Sequence, residues 1–168
     1  KENIGFGRAI NQAAALSKGK YYLILNPDTI IQEETISTLK DYLEDNPNVG
    51  MVGPKILNAD GTLQLACKRS FPTLSVALPK LLGLSRLFPK SKWAGKYNLT
   101  YLDEDQISSV DAISGSCMFI RSFLFHELKG FDERFYMFGE DLDLCSRIWN
   151  NNYEVHYVPK TQIIHYQG

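Results

Sequence analysis

The chain has 168 residues, 44% of them hydrophobic and 22% charged, enough for one ordinary domain with a sizeable core. Its 18 basic and 19 acidic residues form no long run of either sign, so nucleic acid or another polyanion is not an expected partner. Cys67, Cys117 and Cys145 are odd in number, widely spaced and without a CxxC pair, which speaks against a disulfide framework or zinc site and for reduced thiols in a cytosolic protein.

The chain opens without an initiating Met or a secretory pattern and is expected to begin in mid-domain. Gly5-Phe6-Gly7 leads a short helix whose Ala9, Ile10, Ala13, Ala14 and Leu16 fall at helical spacing, with Gly19 as its stop. Tyr21 to Leu25 is a continuous apolar run ended by Asn26-Pro27-Asp28, a buried strand with Asp28 at its carboxyl end. Ile36, Leu39 and Leu43 mark an amphipathic helix between Glu33-Glu34 and Asn46-Pro47, and Val49 to Val52 supplies the next strand. This alternation predicts an α/β fold, a mostly parallel sheet flanked by helices, with ligands at the carboxyl ends of its strands.

Asn58-Ala59-Asp60-Gly61 has the chemistry of a hairpin turn. Residues 72–101 mix apolar residues, prolines and basic residues with no clean period and read as a surface insertion containing short helices. Within it Leu74 to Phe88 is broken by Pro79, Lys80, Gly83 and Arg86, too short for the roughly 20 apolar residues of a spanning helix. The semi-apolar, basic stretch from Leu74 to Trp93 fits surface packing or a contact with a second copy, the commoner uses, as well as a membrane surface or lipid-linked acceptor. Val110 to Ile113 and Cys117 to Ile120 are strand-like around Ser114-Gly115-Ser116. A helix follows Gly139-Glu140-Asp141, and Glu154 to Val158 and Gln162 to His165 are two late strands.

Asp28, at a strand's carboxyl end, is either a turn-former capping the next helix or a carboxylate placed to hold a metal-diphosphate. Glu140, Asp141 and Asp143 suit a helix start through the dipole alone, and Asp143 has Arg147 four residues on as a solvated partner. Asp141 differs, because Leu144, Cys145 and Ile148 follow at three, four and seven; it heads the inward stripe and is a candidate general base. His165 ends an apolar strand and reads as a core histidine or a metal ligand. Asn3, Gly5, Gly7 and Asn11 form a glycine turn that lets backbone N–H groups approach an anion, without the dinucleotide pattern.

In order, Asn3-Ile4-Gly5-Phe6-Gly7-Arg8-Ala9-Ile10-Asn11, Leu25-Asn26-Pro27-Asp28-Thr29, Gly130-Phe131-Asp132-Glu133 with Gly139 to Leu144, and His165 resemble family 2 glycosyltransferases, most of all bacterial rhamnosyltransferase-like members. The resemblance covers nearly the whole chain as a single domain, 1–168. It implies the Rossmann-like GT-A fold, N-terminally incomplete, its first βα units lying ahead of Lys1. It also implies an inverting transfer of a sugar, such as rhamnose, from a dTDP-, UDP- or GDP-sugar to a glycan or lipid-linked acceptor in cell-surface polysaccharide synthesis. By that resemblance Asp141 is the catalytic base, and Asp28 with His165 holds Mg or Mn. Asn3, Gly5, Gly7, Asn11, Asn26 and Asp28 face the donor diphosphate; Gly115, Ser116 and Glu140 face the acceptor. Asn26 stands where many relatives have a first Asp and offers only a neutral oxygen. Arg147 and Trp149 are second-layer or core residues. A cytoplasmic enzyme at the inner face of the membrane follows, with peripheral membrane contact and a homo-oligomer left open. Two rivals are a nucleotidyltransferase, for which no basic, glycine-rich triphosphate loop is visible, and a non-catalytic sugar- or partner-binding module of the same fold.

Overall fold

In the computed structural model, which describes residues 3–166, the apolar runs become strands and the periodic stretches become helices. The order is α1 (Phe6–Leu16), β1 (Tyr21–Leu25), β2 (Thr29–Ile31), α2 (Thr35–Asp45), β3 (Val49–Leu57), β4 (Lys68–Arg69), α3 (Leu74–Leu81), α4 (Leu84–Leu87), β5 (Ser108–Ser109), β6 (Ala112–Ile113), β7 (Cys117–Arg121), α5 (Ser122–Glu127), α6 (Glu140–Asn150) and β8 (Glu154–His165). The hairpin turn forms at Asn58, whose N–H donates to the Thr62 carbonyl at 2.8 Å, with Gly61 at φ 83°.

The main sheet runs β1-β7-β3-β8-β2, with β5 also on β8; β4 and β6 make a separate two-stranded ribbon. Helices flank this central sheet as expected, but the sheet is mixed instead of mostly parallel. Among the described residues only β3 and β8 run parallel; β1/β7, β3/β7, β2/β8 and β5/β8 are antiparallel. The strand–helix–strand alternation correctly placed α2 beside β3. It could not reveal that β7, arriving more than fifty residues later, inserts between β1 and β3. The two late strands expected at 154–158 and 162–165 are one strand, β8, whose register against β3 jumps from Pro54↔Val158 to Lys55↔Gln162.

Alternate residues on the central strands serve two cores. Val49 and Val52 of β3, Phe119 of β7 and Val158 of β8 pack with Leu39 and Leu43 of α2; Met51, Met118, Ile120, Val155 and Tyr157 pack on the other face, with α5 and α6. Gly50 lets that face close, since a Cβ there would lie 2.5 Å from Leu124 Cδ2 and 3.0 Å from Tyr153 Cβ. Arg121 ties β7 to α2 and β3, its Nε donating to the Val49 carbonyl at 2.8 Å and its Nη2 to the Asn46 carbonyl at 3.1 Å. The buried Lys68 donates to the carbonyls of Leu102 and Asp103 at 3.2 and 3.1 Å, and burial lowers its pKa. The three cysteines are buried and free, and burial pushes the Cys117 and Cys145 thiols up to about 12. Among the described residues no helix is long and apolar enough to cross a membrane.

Candidate functional site

Four pieces of backbone meet at one end of the sheet. β1 stops at Leu25, and the Asn26 N–H is held by the Ser116 carbonyl at 3.0 Å, which joins the end of β1 to the Ser114–Gly115–Ser116 turn between β6 and β7. β2 then pairs with the tail of β8 in the register Thr29↔His165, and the Tyr166 N–H donates to the Asp28 carbonyl at 3.0 Å. That pairing brings Asp28 and His165 together, Oδ1 to Nε2 3.2 Å. Finally α6 starts at the same end, with Gly139 at φ 90° turning the chain so that Glu140 and Asp141 enter it.

A cavity of about 350 Å³ lies between these pieces, lined by Phe6, Asn26, Ser114, Gly115, Ser116, Met137, Phe138, Glu140, Asp141 and His165. The expected inward aim of Asp141 is seen. Its Oδ1 accepts the Leu142 N–H at 2.8 Å, and its Oδ2 accepts the Gly115 N–H at 3.2 Å and an ion pair from Arg69 Nη2. Arg69 is itself oriented by the Ile113 carbonyl at 3.0 Å, through the β4–β6 ribbon. Next to it, Glu140 keeps one carboxylate oxygen buried and without a partner among the described residues, and burial raises its pKa. A Cβ on Gly115 would stand 3.4 Å from Asp141 Cβ, so a larger residue there would fill the cavity floor.

On the opposite wall a chain of hydrogen bonds sets the His165 ring. Thr62 Oγ1 donates to Asp60 at 2.6 Å and accepts from Asn58 Nδ2 at 2.9 Å; Asn58 Oδ1 accepts from Gln64 Nε2 at 3.3 Å; and Gln64 Oε1 faces His165 Nδ1 at 3.1 Å. Each donor is used once, so Gln64 presents an acceptor, and in the neutral ring the proton sits on Nδ1. That leaves a lone pair on Nε2, directed at Asp28. Two electron-rich atoms 3.2 Å apart suit a cation between them, and a hard carboxylate oxygen with an imidazole nitrogen is a fitting partial donor set for Mg or Mn. Among the described residues no third His, Cys, Asp or Glu joins them.

Other expected residues are placed elsewhere. Asn11 lies away from the cavity, with its side chain donating to the Phe131 carbonyl and accepting the Phe131 N–H, both at 2.9 Å; it splices α1 to the 130–133 turn. Gly7 is buried, where a Cβ would come 3.1 Å from Phe131 Cβ, so its small size serves packing. Asn3 accepts the Gly5 N–H at 3.0 Å, which takes up one of the donors expected to face an anion, and Gly5 at φ 85° abuts Tyr136. Only Phe6 of this segment lines the cavity. Asn26 turns its amide nitrogen to His165 Nε2 at 3.4 Å. Asp143 pairs with Arg147, and Trp149 Nε1 donates to the Asp111 carbonyl at 3.2 Å, so Arg147 and Trp149 serve the structure around α6. Sequence reading missed Arg69, Gln64, Met137 and Phe138, since nothing local links Arg69 to an acid 72 residues away.

A model of the glycosyltransferase like family 2 matches residues 1–168. The chain belongs to glycosyltransferase family 2. It is 27% identical to an N-acetylglucosaminyl-diphospho-decaprenol L-rhamnosyltransferase of Mycobacterium tuberculosis over 99% of this chain and 57% of that protein. It is 31% identical to rhamnosyltransferase WbbL of Escherichia coli over 96% of this chain and 61% of that protein. The chain thus spans about three-fifths of the length of these family 2 relatives. Among solved structures the fold matches GalNAc-T7 with UDP, GalNAc and Mn2+ (TM-score 0.67, 16% identity, 99% of this chain and 31% of that one). It also matches the Pyrobaculum calidifontis mannosyltransferase PcManGT in complex with GDP-Man and Mn2+ (TM-score 0.60, 17% identity, 98% and 37%). At these identities the likeness is one of fold, the GT-A fold of the family.

Proposed function

We propose that this family 2 chain is the catalytic part of an inverting glycosyltransferase. It moves a sugar, rhamnose by analogy with the two relatives, from a nucleotide-sugar to a hydroxyl of a glycan or lipid-linked acceptor in cell-surface polysaccharide synthesis. The observation that carries this reading is the meeting at one cavity of an oriented carboxylate (Asp141) and the imidazole of His165, which has Asp28 beside it at 3.2 Å. The buried, free thiols fit a reducing, cytoplasmic compartment.

A sugar hydroxyl is a poor nucleophile, and Asp141 is built to take its proton. A carboxylate has about four lone-pair sites; Leu142, Gly115 and Arg69 occupy three, and the fourth is left for the attacking hydroxyl. Glu140 lines the same cavity beside Asp141, with its second carboxylate oxygen buried behind the wall and without a partner among the described residues. Proton transfer to Asp141 accompanies formation of the new C–O bond and rupture of the bond from the anomeric carbon to the diphosphate, a single displacement that inverts configuration. Asp28 and His165 would hold a divalent cation, which when bound would supply electrostatic stabilisation of the departing diphosphate. Asn26 Nδ2, 3.4 Å from His165 Nε2, would give up that contact when the nitrogen takes a cation.

The test uses the protein with its natural flanking sequence, a panel of dTDP-, UDP- and GDP-sugars, and Mn2+ or chelator. Nucleoside diphosphate release should require metal and fall on the order of 10²–10⁴-fold in Asp141→Asn. Full activity of Asp141→Asn, or release of pyrophosphate, would sink the reading.

A further inference from the structure

The outer surface of residues 74–96 inverts the usual arrangement of a small helix. In α3 the apolar residues Leu74, Leu78 and Leu81 recur at i, i+4 and i+7 on one face. That face points to solvent: Leu74 is 82% and Leu81 81% exposed, while Val76 and Pro79 fill the inner side. Leu82, Leu87, Phe88 and Trp93 continue the exposed apolar surface, with Leu87 at 71% and Trp93 at 57%. Surface packing, the ordinary expectation for this stretch, therefore does not account for it. α3, α4 and the turns after them surround a common cavity of about 710 Å³ with Lys80, Leu81, Arg86 and Tyr97 on its walls.

Charge is segregated on the same surface. Between Asp60 and Asp103 the sequence has seven of its 18 basic residues, Lys68, Arg69, Lys80, Arg86, Lys90, Lys92 and Lys96, and none of its 19 acidic ones. The last five are exposed, and none forms an ion pair with an acidic side chain among the described residues. Lys80 lies 3.7 Å over the Tyr97 ring and close enough to Arg69 for the two charges to repel. An apolar face alone would suit a second copy of the chain, but two such faces would set five uncompensated cations against five more. An anionic bilayer meets both demands, with leucines and a tryptophan entering the acyl boundary and lysines and arginine meeting the headgroups.

We propose that residues 74–96 form a docking face for the surface of an anionic lipid membrane, adjacent to the Arg69–Asp141 end of the catalytic cavity. The argument stands on this surface; it rests on the transferase reading only in naming the purpose, presentation of a membrane-held acceptor to Asp141.

The experiment is vesicle flotation of the protein with its natural flanking sequence, without any sugar donor. The vesicles are pure phosphatidylcholine or phosphatidylcholine with one-third phosphatidylglycerol, at low and high salt. Binding should favour the anionic vesicles by about tenfold or more at low salt and weaken at high salt. Leu81→Ser/Leu87→Ser and Lys90→Glu/Lys92→Glu should each lower it about tenfold with unchanged melting temperature, since these side chains are exposed. Asp141→Asn should bind as well as wild type, so a failed transferase reading leaves this result standing. Equal binding to both vesicles, undiminished binding of both variants, or a lipid-free dimer lost in Leu81→Ser/Leu87→Ser would overturn the proposal.

Discussion

At the scale of single residues, the proposed site separates groups assigned to chemistry from groups that aim them. Gln64 touches nothing that reacts, yet it decides which nitrogen of His165 keeps its proton. Gln64→Leu is expected to free the ring's tautomer and weaken Mn2+ binding in the presence of nucleoside diphosphate by about 10–100-fold. Calorimetry would measure the affinity, and ring 15N shifts would report the tautomer. Unchanged affinity with a mixed tautomer would detach Gln64 from the metal. Glu140 makes a different statement. Burial raises its pKa, so the folded chain holds this proton to higher pH than the unfolded chain does. Stability should accordingly decline as pH climbs from the ordinary glutamate range through the raised value. Glu140→Gln should melt higher than wild type at neutral pH, and the gap should close below the ordinary glutamate range; a gap that grows on acidification would contradict the assignment.

At the scale of elements, the site is only as fixed as the junctions that hold its four pieces. Gly50 on β3 sits under Leu124 and Tyr153, and neither can retreat easily, because Leu124 is fully buried. Gly50→Ala should cost about 1–3 kcal/mol of stability by urea denaturation through overpacking. Arg121 pins the C-terminus of α2 to the start of β3; Arg121→Met would strand those carbonyls and should cost about 1–3 kcal/mol. Neither change approaches the cavity, so both should alter the denaturation midpoint with far less effect on metal-dependent turnover at low temperature.

Across the whole molecule, local periodicity made most elements legible before any coordinates. Leu39 and Leu43 point inward as their spacing implies, and Asp141 heads the buried stripe of α6. Strand direction was not legible, because order along the chain carries no record of where a later strand inserts, and β7 sits between β1 and β3. The site divided along the same line. Asp28, Asp141 and His165 stand at element ends that the sequence marks, whereas Arg69 and Gln64 lie in the irregular stretch after β3 and reach the cavity only through tertiary pairing. A glycine turn before a helix can serve packing as readily as an anion, and here both Asn11 and Gly7 adjoin Phe131.

The jump in register along β8 has a consequence for how this strand can vary. Three residues, Pro159 to Lys160 to Thr161, stand between partners that are consecutive on β3. Side chains alternate sides along a strand, and Val155, Tyr157 and Ile163 all reach one core, so β8 keeps its alternation through the surplus and His165 shares their parity. Removing Lys160, an exposed side chain, would turn the imidazole away from the cavity or tear β2 from its partner, whereas Lys160→Ala should pass almost unnoticed. In this strand the count of residues is itself a functional feature, sensitive to deletion and nearly indifferent to spelling.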